Sequence, residues 1–471
     1  MKQIYFLLAI LSNTVLLSQT VLTSYPLNLG SKPESSMILT TKNDATNEVF
    51  VFAKTEKDFK ILRYNSALFL TKQFISSTTY IENRTLMGYS FSEDGNPTLY
   101  WSTSDGNNIV IIKYYFENNT SKAIQFIFPA STHTIRAEYQ SNNTFYILGE
   151  SKSEAKFTLY VFKNGLVEQK ELDFSPFIFQ NNNMTRKSFR QLLVENPIEK
   201  MESNEYNSIY KANSKIKFYP EKNRIVLTLD HNIKNTQFFD IDLNTLEIKE
   251  KNFAQPLGKK KPKTSNSFFY NNKLYQINAN DEEFLFEIKD SESGQIVKNF
   301  EVTKNDSIHF KNSPIQIQKS NKGTKELKNT TKFLKELSTA NAVVSVFSND
   351  QNLYITLGGL LKQDYQQPFD EFFQEFLFIK VNETPNYYTT AVFFESIFDS
   401  NFNPTSLQQE PLATDKIYYF IDNNSKTRMH SILKFKDYFI LGYYDLKTKL
   451  YTLRKFSDDN NESEFYQSVN R

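Results

Sequence analysis

The chain has 471 residues, no cysteine, and 55 Lys and Arg against 53 Asp and Glu, which gives a formal net charge of +2. Without cysteine it can form neither a disulfide nor a thiolate metal site, and its balanced charge gives no support for nucleic-acid binding, which usually needs a concentrated basic surface. The 43 Phe and 27 Tyr have large rings that suit pleated strands better than helices. These totals favour a large, mostly β protein.

The first 18 residues have the pattern of a cleavable secretory signal. Lys2 provides a basic start, and the interrupted apolar stretch at residues 4–17, followed by the small Ser18, is too short to span a bilayer comfortably. A buried first strand is the alternative interpretation. No later stretch approaches the roughly 18 apolar residues that a membrane helix needs. We therefore expect an exported mature chain, residues 19–471, without a transmembrane segment and with a periplasmic or extracellular location.

From residue 36 onward, short apolar strands alternate with polar turns in repeated groups of four. The first group contains the segments SMILTTKN, NEVFVFAK, FKILRYN and ALFLTKQFI. The six groups that can be recognised occupy residues 36–75, 87–128, 134–174, 208–253, 265–302 and 342–394. Alternation at period two places successive side chains on opposite faces of a strand. Four strands in every unit of about 45 to 50 residues are typical of a β-propeller.

The turns between these strands support the same fold. Asn164-Gly165 predicts a two-residue hairpin, because both positions tolerate positive φ. Residues 242–245 and 445–448 share the form Asp-x-x-Thr, in which the Asp side chain can accept hydrogen bonds from nearby backbone N–H groups. With residues 290–294, this strand–turn–strand unit resembles the outer hairpin of β-propeller repeat proteins of bacterial exported type. The resemblance covers most of residues 36–456 and implies an architecture, not an activity.

The predicted fold class is all-β, a β-propeller of seven blades, with six as the alternative. Residues 416–456 are expected to supply four or five more strands, and a strand at residues 20–27 can complete the last blade and so join the two chain ends. Two segments with helical spacing, near 185–201 and 324–338, are predicted as short insertions in a single domain that spans residues 19–471.

The sequence contains no recognisable catalytic, cofactor or metal motif, so we predict neither a cofactor nor a metal site. The four histidines have no HxH or HExxH spacing; they are His133, His231, His309 and His430. Asp240, Asp242 and Asn244 alternate like the start of a calcium loop, but the glycine and glutamate that such a loop requires are missing. The basic run GKKKPK at 258–263 is interpreted as a solvated connection.

An acidic, aromatic segment at residues 363–378 is the one candidate partner-binding element. Four phenylalanines follow Pro368 at helical spacing, and Asp370, Glu371 and Glu375 fall on the opposite side. The phenylalanines are Phe369, Phe372, Phe373 and Phe376. Aromatic side chains dominate interface hot spots, which favours a partner-binding helix. The alternative is a surface helix that packs its rings onto its own blade.

Three functions remain open from the sequence, one of them an assembly component that depends on a neighbouring membrane protein. The first is a non-enzymatic binding or scaffold protein with a protein or glycan partner at the cell envelope, recognised by loops on one face of a rigid ring. The second is a propeller hydrolase or lyase acting on glycans or peptides, which would need carboxyl groups that converge at the central channel. The ligand, the substrate and the existence of a catalytic site are not determined by the sequence.

Overall fold

A computed structural model describes residues 20–30, 36–203, 205–319, 322–349, 352–363, 388–408 and 411–458. The predicted signal at residues 1–18 and the four phenylalanines at 369–376 lie outside the described residues. The described residues form 32 strands and four short helices. Strand β1 comes first, at Val21–Pro26.

Sheets 1, 2 and 3 each consist of four antiparallel strands that are consecutive in the chain. Sheet 1 contains β2 Met37–Lys42, β3 Val49–Lys54, β4 Asp58–Tyr64 and β5 Leu70–Ser77. Sheet 2 contains β6 Thr85–Phe91, β7 Pro97–Ser102, β8 Asn108–Tyr115 and β9 Thr120–Ile127. Sheet 3 contains β10 His133–Ser141, β11 Thr144–Ser151, β12 Lys156–Lys163 and β13 Leu166–Asp173. The short hairpin that follows contains β14 Phe179–Gln180 and β15 Arg186–Lys187.

Sheets 4, 5 and 6 follow, and two of them have a fifth strand. Sheet 4 contains β16 Ile198–Lys200, β17 Ile216–Pro220, β18 Arg224–Asn232, β19 Asn235–Asp242 and β20 Ile248–Ala254. Sheet 5 contains β21 Thr264–Tyr270, β22 Lys273–Ala279, β23 Glu283–Asp290 and β24 Ile296–Thr303. Sheet 6 contains β25 Gln316–Lys319, β26 Lys322–Glu326, β27 Asn341–Ser348, β28 Leu353–Gln363 and β29 Tyr388–Phe398. Its order is β26-β25-β29-β28-β27, so its outer strands precede its inner strands in the chain, which the sequence pattern did not predict.

Sheet 7 joins the two ends of the chain. It contains β30 Thr427–Phe435, β31 Tyr438–Asp445, β32 Leu450–Phe456 and, at its outer edge, β1. Strand β1 pairs antiparallel with β32, with Tyr25 opposite Tyr451, which confirms the predicted closure. The prediction of four or five strands at residues 416–456 was wrong, because the first part of this segment is helical.

The four helices are α1 Phe189–Glu195, α2 Ile209–Ala212, α3 Thr330–Leu337 and α4 Ala413–Asn423. Helix α1 begins with a capping box, in which the Ser188 hydroxyl accepts from Gln191 N–H and the Gln191 side chain accepts from Ser188 N–H, both at 3.2 Å. Asn329 caps α3 by accepting from Lys332 N–H at 3.0 Å. Helices α1 and α3 lie within the two segments predicted as insertions, and α2 and α4 were not predicted.

The turn predictions are confirmed in detail. Asn164 and Gly165 have φ values of +54° and +79°. The Asp242 carboxylate accepts from the N–H groups of Asn244 and Thr245 at 2.7 and 2.9 Å. In the same way, Asp445 accepts from Lys447 and Thr448 at 2.7 and 3.0 Å. These backbone hydrogen bonds lower the pKa of Asp242 below its usual value.

Aromatic rings fill the spaces between successive sheets. Ring pairs with centroids 5.1 to 6.1 Å apart join sheets 1 to 6 in order; they are Phe59–Trp101, Tyr100–Phe145, Tyr139–Phe218, Phe238–Phe269 and Phe284–Phe394. A further apolar cluster joins sheet 7 to sheet 1 and contains Ile38 and Tyr451. The rings therefore hold the sheets face to face, and such ring pairs each contribute about 0.5–1.5 kcal/mol beyond the burial of their area.

One edge strand of each of several neighbouring sheets lies beside that of the next: β2 beside β30, β6 beside β10, β10 beside β16, and β21 beside β27. These edge strands are called first strands, although β25 and β26 precede β27 in the chain and β1 precedes β30. The last strands lie outside; β9 and β13, for example, are largely exposed. Small antiparallel sheets that pack face to face, with their first strands together, have the architecture of a β-propeller. The coarse prediction, a mostly β protein built from four-stranded sheets, is confirmed.

Candidate binding cleft at the mouth of the central channel

An inserted segment, residues 198–214 without residue 204, occupies the space between the first strands. It starts with β16, which pairs in parallel with β17, and it continues into α2, which contacts β27 and β28. The Ser345 hydroxyl on β27 donates to Asn207 O at 2.6 Å. Met201 and Ala212 are completely buried. The inserted segment therefore packs against inner strands of sheets 4 and 6.

The same segment connects sheet 6 to the start of helix α4. The Tyr206 hydroxyl forms a hydrogen bond with Thr356 on β28 and lies near Asp415 in the first turn of α4. Helix α4 packs on β31 and β32 through Ile417 and Phe420.

A cleft of about 680 Å³ opens at one end of this channel, where the first strands end in their turns. Residues of sheets 1, 3, 4, 5 and 7 line it, so a ligand bound there would contact five sheets at once. Its basic residues are Lys42, Lys200, Lys222 and Lys434. Its acidic residues are Asp44, Glu202, Glu205 and Glu221. Four basic groups against four acidic groups give the wall no formal net charge.

Several of these charges pair within the wall. Lys200 Nζ lies 2.7 Å from Glu202 Oε1, and Lys42 Nζ lies 3.6 Å from Asp44 Oδ1. Burial, and secondarily the neighbouring Glu202 carboxylate, raise the pKa of Glu205 above its usual value. Burial likewise raises the pKa of Glu221. The cleft therefore holds two carboxyl groups that accept a proton more readily than an exposed glutamate does.

The lower part of the cleft is aromatic. Tyr219, Phe269 and Tyr270 line it, and each is less than a tenth exposed. Phe269 N–H donates to the Tyr219 hydroxyl at 3.0 Å, which fixes the phenol between sheets 4 and 5. A rigid apolar base below a rim of paired charges suits a ligand with apolar groups and with polar groups of both signs.

A second cleft, of about 590 Å³, is lined by residues of sheets 4 and 5. Arg224 lies in its wall and donates to both oxygens of Asp240, at 2.6 and 2.9 Å, and to Asn272 at 3.0 Å. Lys273 lies 2.9 Å from Asp290. Because its charged groups mostly pair with one another, this cleft offers fewer free groups to a ligand than the channel-mouth cleft does.

None of the residues singled out in the sequence and described in the structure lines the channel-mouth cleft. His133 bonds to Thr132 and Thr158, and His430 bonds to Thr427. Asp242 fixes its turn, and Asp240 pairs with Arg224. Among the described residues, no group of three or more His, Cys, Asp or Glu is placed to hold a metal ion.

Sequence reasoning missed the charged residues of the cleft. Glu202 and Glu205 follow β16 and lie between the helix predicted near 185–201 and the predicted group of strands at 208–253. The run IEKMESNEYNS at 198–208 interrupts the strand pattern with acidic residues, and this is the signal that could have marked the cleft.

In the described parts of the chain, no helix has the length and apolarity needed to cross a membrane.

Comparison with known proteins adds little to this geometry. No protein-family model matches the chain, and no curated protein matches it. The β-propeller domain of Cps50 (Swd1) from Myceliophteria thermophila aligns over 93% of this chain and 99% of its own, with a TM-score of 0.31 and 8% identity. The WD40 domain of SCAP from fission yeast aligns over 88% and 82%, with a TM-score of 0.27 and 14% identity.

A third solved structure, described as one of two prolyl endopeptidases, aligns over 90% of this chain and 51% of its own, with a TM-score of 0.34 and 8% identity. Likenesses this weak carry no information about activity. The class of protein is defined by the sheets themselves: this chain has a β-propeller architecture, and its channel-mouth cleft is the candidate binding site.

Proposed function

We propose that this chain is an exported, seven-bladed β-propeller that binds a partner protein, without catalysis, in the channel-mouth cleft. One observation carries the proposal: a single cleft, lined by residues of five different sheets, holds four lysines and four carboxylates. Each of the seven sheets of four or five strands would be one blade. The basic and apolar start of the sequence supports export to the periplasm or beyond.

The chemistry of the wall favours a protein segment as the ligand. Charges of both signs on the rim can pair with a peptide that carries both signs, and the aromatic base can accept an apolar side chain. Because five sheets contribute, the rigid ring fixes the positions of these groups before the ligand binds, which reduces the entropy cost of binding. Phe369, Phe372, Phe373 and Phe376 remain a proposed second contact with the same partner.

The proposal is tested by affinity capture with the full chain, followed by mass spectrometry of the captured proteins. Lys222→Glu and Lys434→Glu each reverse one charge of the rim, and Lys122→Glu on the exposed strand β9 is the matched control. We expect a partner that binds the wild type and Lys122→Glu at least tenfold more tightly than it binds either rim variant. Equal capture by all four proteins would contradict the assignment of the cleft.

A second function, that of a hydrolase or lyase acting on a glycan or peptide, is favoured by one specific observation. Glu202 and Glu205 lie close enough for one carboxylate to raise the pKa of the other, and a protonated acid beside an ionised carboxylate is the pair that glycoside hydrolysis uses. Glu205→Gln separates the two functions, since it removes the acid but keeps the shape. A captured ligand that the wild type cleaves and Glu205→Gln binds without cleaving would establish the enzyme and refute the non-catalytic role.

A further inference from the structure

Lys217 is a lysine with no exposed surface, at the contact between sheets 4 and 5. It lies on β17, and its amine has three acceptors. These are Asn266 Oδ1 at 2.5 Å, Ser214 O at 2.6 Å and Asp230 Oδ2 at 3.4 Å. A buried lysine is costly unless its charge is compensated, and no ligand could reach this one.

The carboxamide of Asn266 is held in one orientation beside that amine. Asn266 lies on β21, in the neighbouring sheet, and is completely buried. Its Oδ1 also accepts from the N–H of Ser267 at 2.8 Å, and its Nδ2 donates to Ala342 O at 2.6 Å. When the Lys217 amine attacks, the Ser267 N–H remains as a donor to the carbonyl oxygen and draws electron density away from the carboxamide carbon.

A buried carboxylate completes the group. Asp230 lies on β18, and its Oδ2 accepts from the N–H and the hydroxyl of Ser267 at 3.0 and 2.8 Å. Its Oδ1 accepts from the Thr236 hydroxyl at 2.7 Å. The carboxylate is therefore fixed next to the Lys217 amine, where it can exchange a proton with it.

The amine is also easier to deprotonate than an exposed lysine. Burial lowers the pKa of Lys217 to about 8, although the negative charge of Asp230 acts in the opposite direction and raises it. At neutral pH a fraction of the molecules then carries the neutral amine, which is the nucleophilic form.

We propose that Lys217 and Asn266 react with each other to form an intramolecular isopeptide bond that links β17 to β21. The Asp230 carboxylate takes a proton from the Lys217 ammonium, and the free amine attacks the carboxamide carbon of Asn266. The resulting oxyanion at Oδ1 is stabilised by the N–H of Ser267. The bond from that carbon to Nδ2 then breaks, and the nitrogen leaves as an ammonium ion, having received one proton from Asp230 and one from the attacking amine.

The reaction needs no further reactant. An ammonium and a primary amide become a secondary amide and an ammonium ion, with no change of oxidation state. The product joins two neighbouring sheets through residues 49 positions apart in the chain. In a chain without cysteine, such a bond constrains the unfolded state in the way that a disulfide does elsewhere.

The mass of the full chain, measured after denaturation, tests the proposal directly on the wild type. We expect it to be lower than the mass of the unreacted chain by one ammonia, and we expect tryptic mapping to find one branched peptide that contains both Lys217 and Asn266. A wild type of full mass overturns the proposal. A deficit within one linear peptide, as a succinimide at Asn266 would give, overturns it as well.

Variants identify the residues that react. Lys217→Arg and Asn266→Ala should have full mass, and Asp230→Asn should have full mass or react at least tenfold more slowly. Lys215→Arg is the matched control, because Lys215 is a neighbouring lysine whose amine donates to the backbone oxygen of Ser265 at 2.7 Å; it should keep the deficit. A branched peptide that joins Lys289 to Gln276, which lie 2.8 Å apart, would contradict the assignment.

Discussion

Asp44 and Asn143 exchange two hydrogen bonds although they are 99 residues apart in the chain. Asp44 N–H donates to Asn143 Oδ1 at 2.8 Å, and Asn143 N–H donates to Asp44 Oδ2 at 3.3 Å. The Asn143 side chain also donates to Asn43 at 2.8 Å. These contacts join the first turns of sheets 1 and 3. Sheet 2 is connected to the same turn of sheet 3, because Phe91 N–H donates to Asn143 O at 3.2 Å. Three sheets are thus tied together at the rim of the cleft.

Asn143→Gly should weaken this connection without straining the turn. The residue has φ of +59°, which glycine adopts readily. Loss of the side-chain contacts should lower the free energy of unfolding by about 1–2 kcal/mol, measured by urea denaturation. Asn164→Gly is the control, since this exposed asparagine also has positive φ but lies at a simple hairpin turn. Equal effects of the two substitutions would show that the contact with Asp44 is not stabilising.

Glu138→Gln should change the dependence of stability on pH. Burial raises the pKa of Glu138 from 4.5 to about 7, so the acid is more easily protonated in the folded state than in the unfolded state. The contribution of Glu138 to the free energy of unfolding is complete below pH 4.5 and is lost as the pH rises through 7. At pH 8 the variant should therefore be more stable than the wild type by up to about 3 kcal/mol, and this difference should disappear near pH 4.5. Parallel pH profiles of the two proteins would refute the prediction.

Tyr451→Phe should weaken the contact between the last and first sheets. The Tyr451 hydroxyl and the Thr40 hydroxyl are buried and form a hydrogen bond of 2.6 Å. Removing the Tyr451 hydroxyl leaves the Thr40 hydroxyl without this partner, which should lower the free energy of unfolding by about 1–3 kcal/mol. Tyr160→Phe is the matched control, because the buried Tyr160 hydroxyl has no hydrogen-bond partner among the described residues. Thermal denaturation should show a lower Tm for Tyr451→Phe and no decrease for Tyr160→Phe. A similar decrease in both would contradict the assigned role of Thr40.

Trp101→Ala should be the most damaging of these substitutions. Trp101 is completely buried between sheets 1 and 2, with its ring centroid 5.4 Å from that of Phe59. The cavity left by alanine should cost about 3–5 kcal/mol, measured as a lower free energy of unfolding. Tyr80→Ala, at a side chain that is 67% exposed, should have an effect within about 0.5 kcal/mol. A small loss at Trp101 would mean that the ring stacks between the sheets are not the main source of stability.

Local sequence predicted the elements of the fold well, because their determinants are local. The segments that were read as strands in residues 36–75 correspond to β2 to β5. Asn164-Gly165 and the Asp-x-x-Thr turns formed as expected, since a turn depends on the backbone preferences of two to four residues. Some wrong predictions arose where a strand comes from elsewhere in the chain, as with β25 and β26. Another arose where a run rich in aromatic and β-branched residues, DKIYYFIDN, forms part of helix α4.

The cleft itself could not be predicted, because its residues come from turns that are far apart in the chain. Lys42, Glu205 and Lys434 meet only after the ring has closed. The same is true of Lys217, Asp230 and Asn266, although four consecutive polar residues, TSNS at 264–267, stand in a strand that is otherwise aromatic. Buried polar residues of this kind are an unusual local pattern, but their partners were not visible in the sequence.

Most strands and turns follow from the sequence, since side-chain alternation and turn chemistry act over a few residues. The charges that surround the channel mouth, and the amine that faces an amide, come from residues far apart in the chain and are known only from the folded structure. Those pairings depend on how whole sheets pack around a common centre, and that packing is set by rings buried between sheets rather than by any single segment.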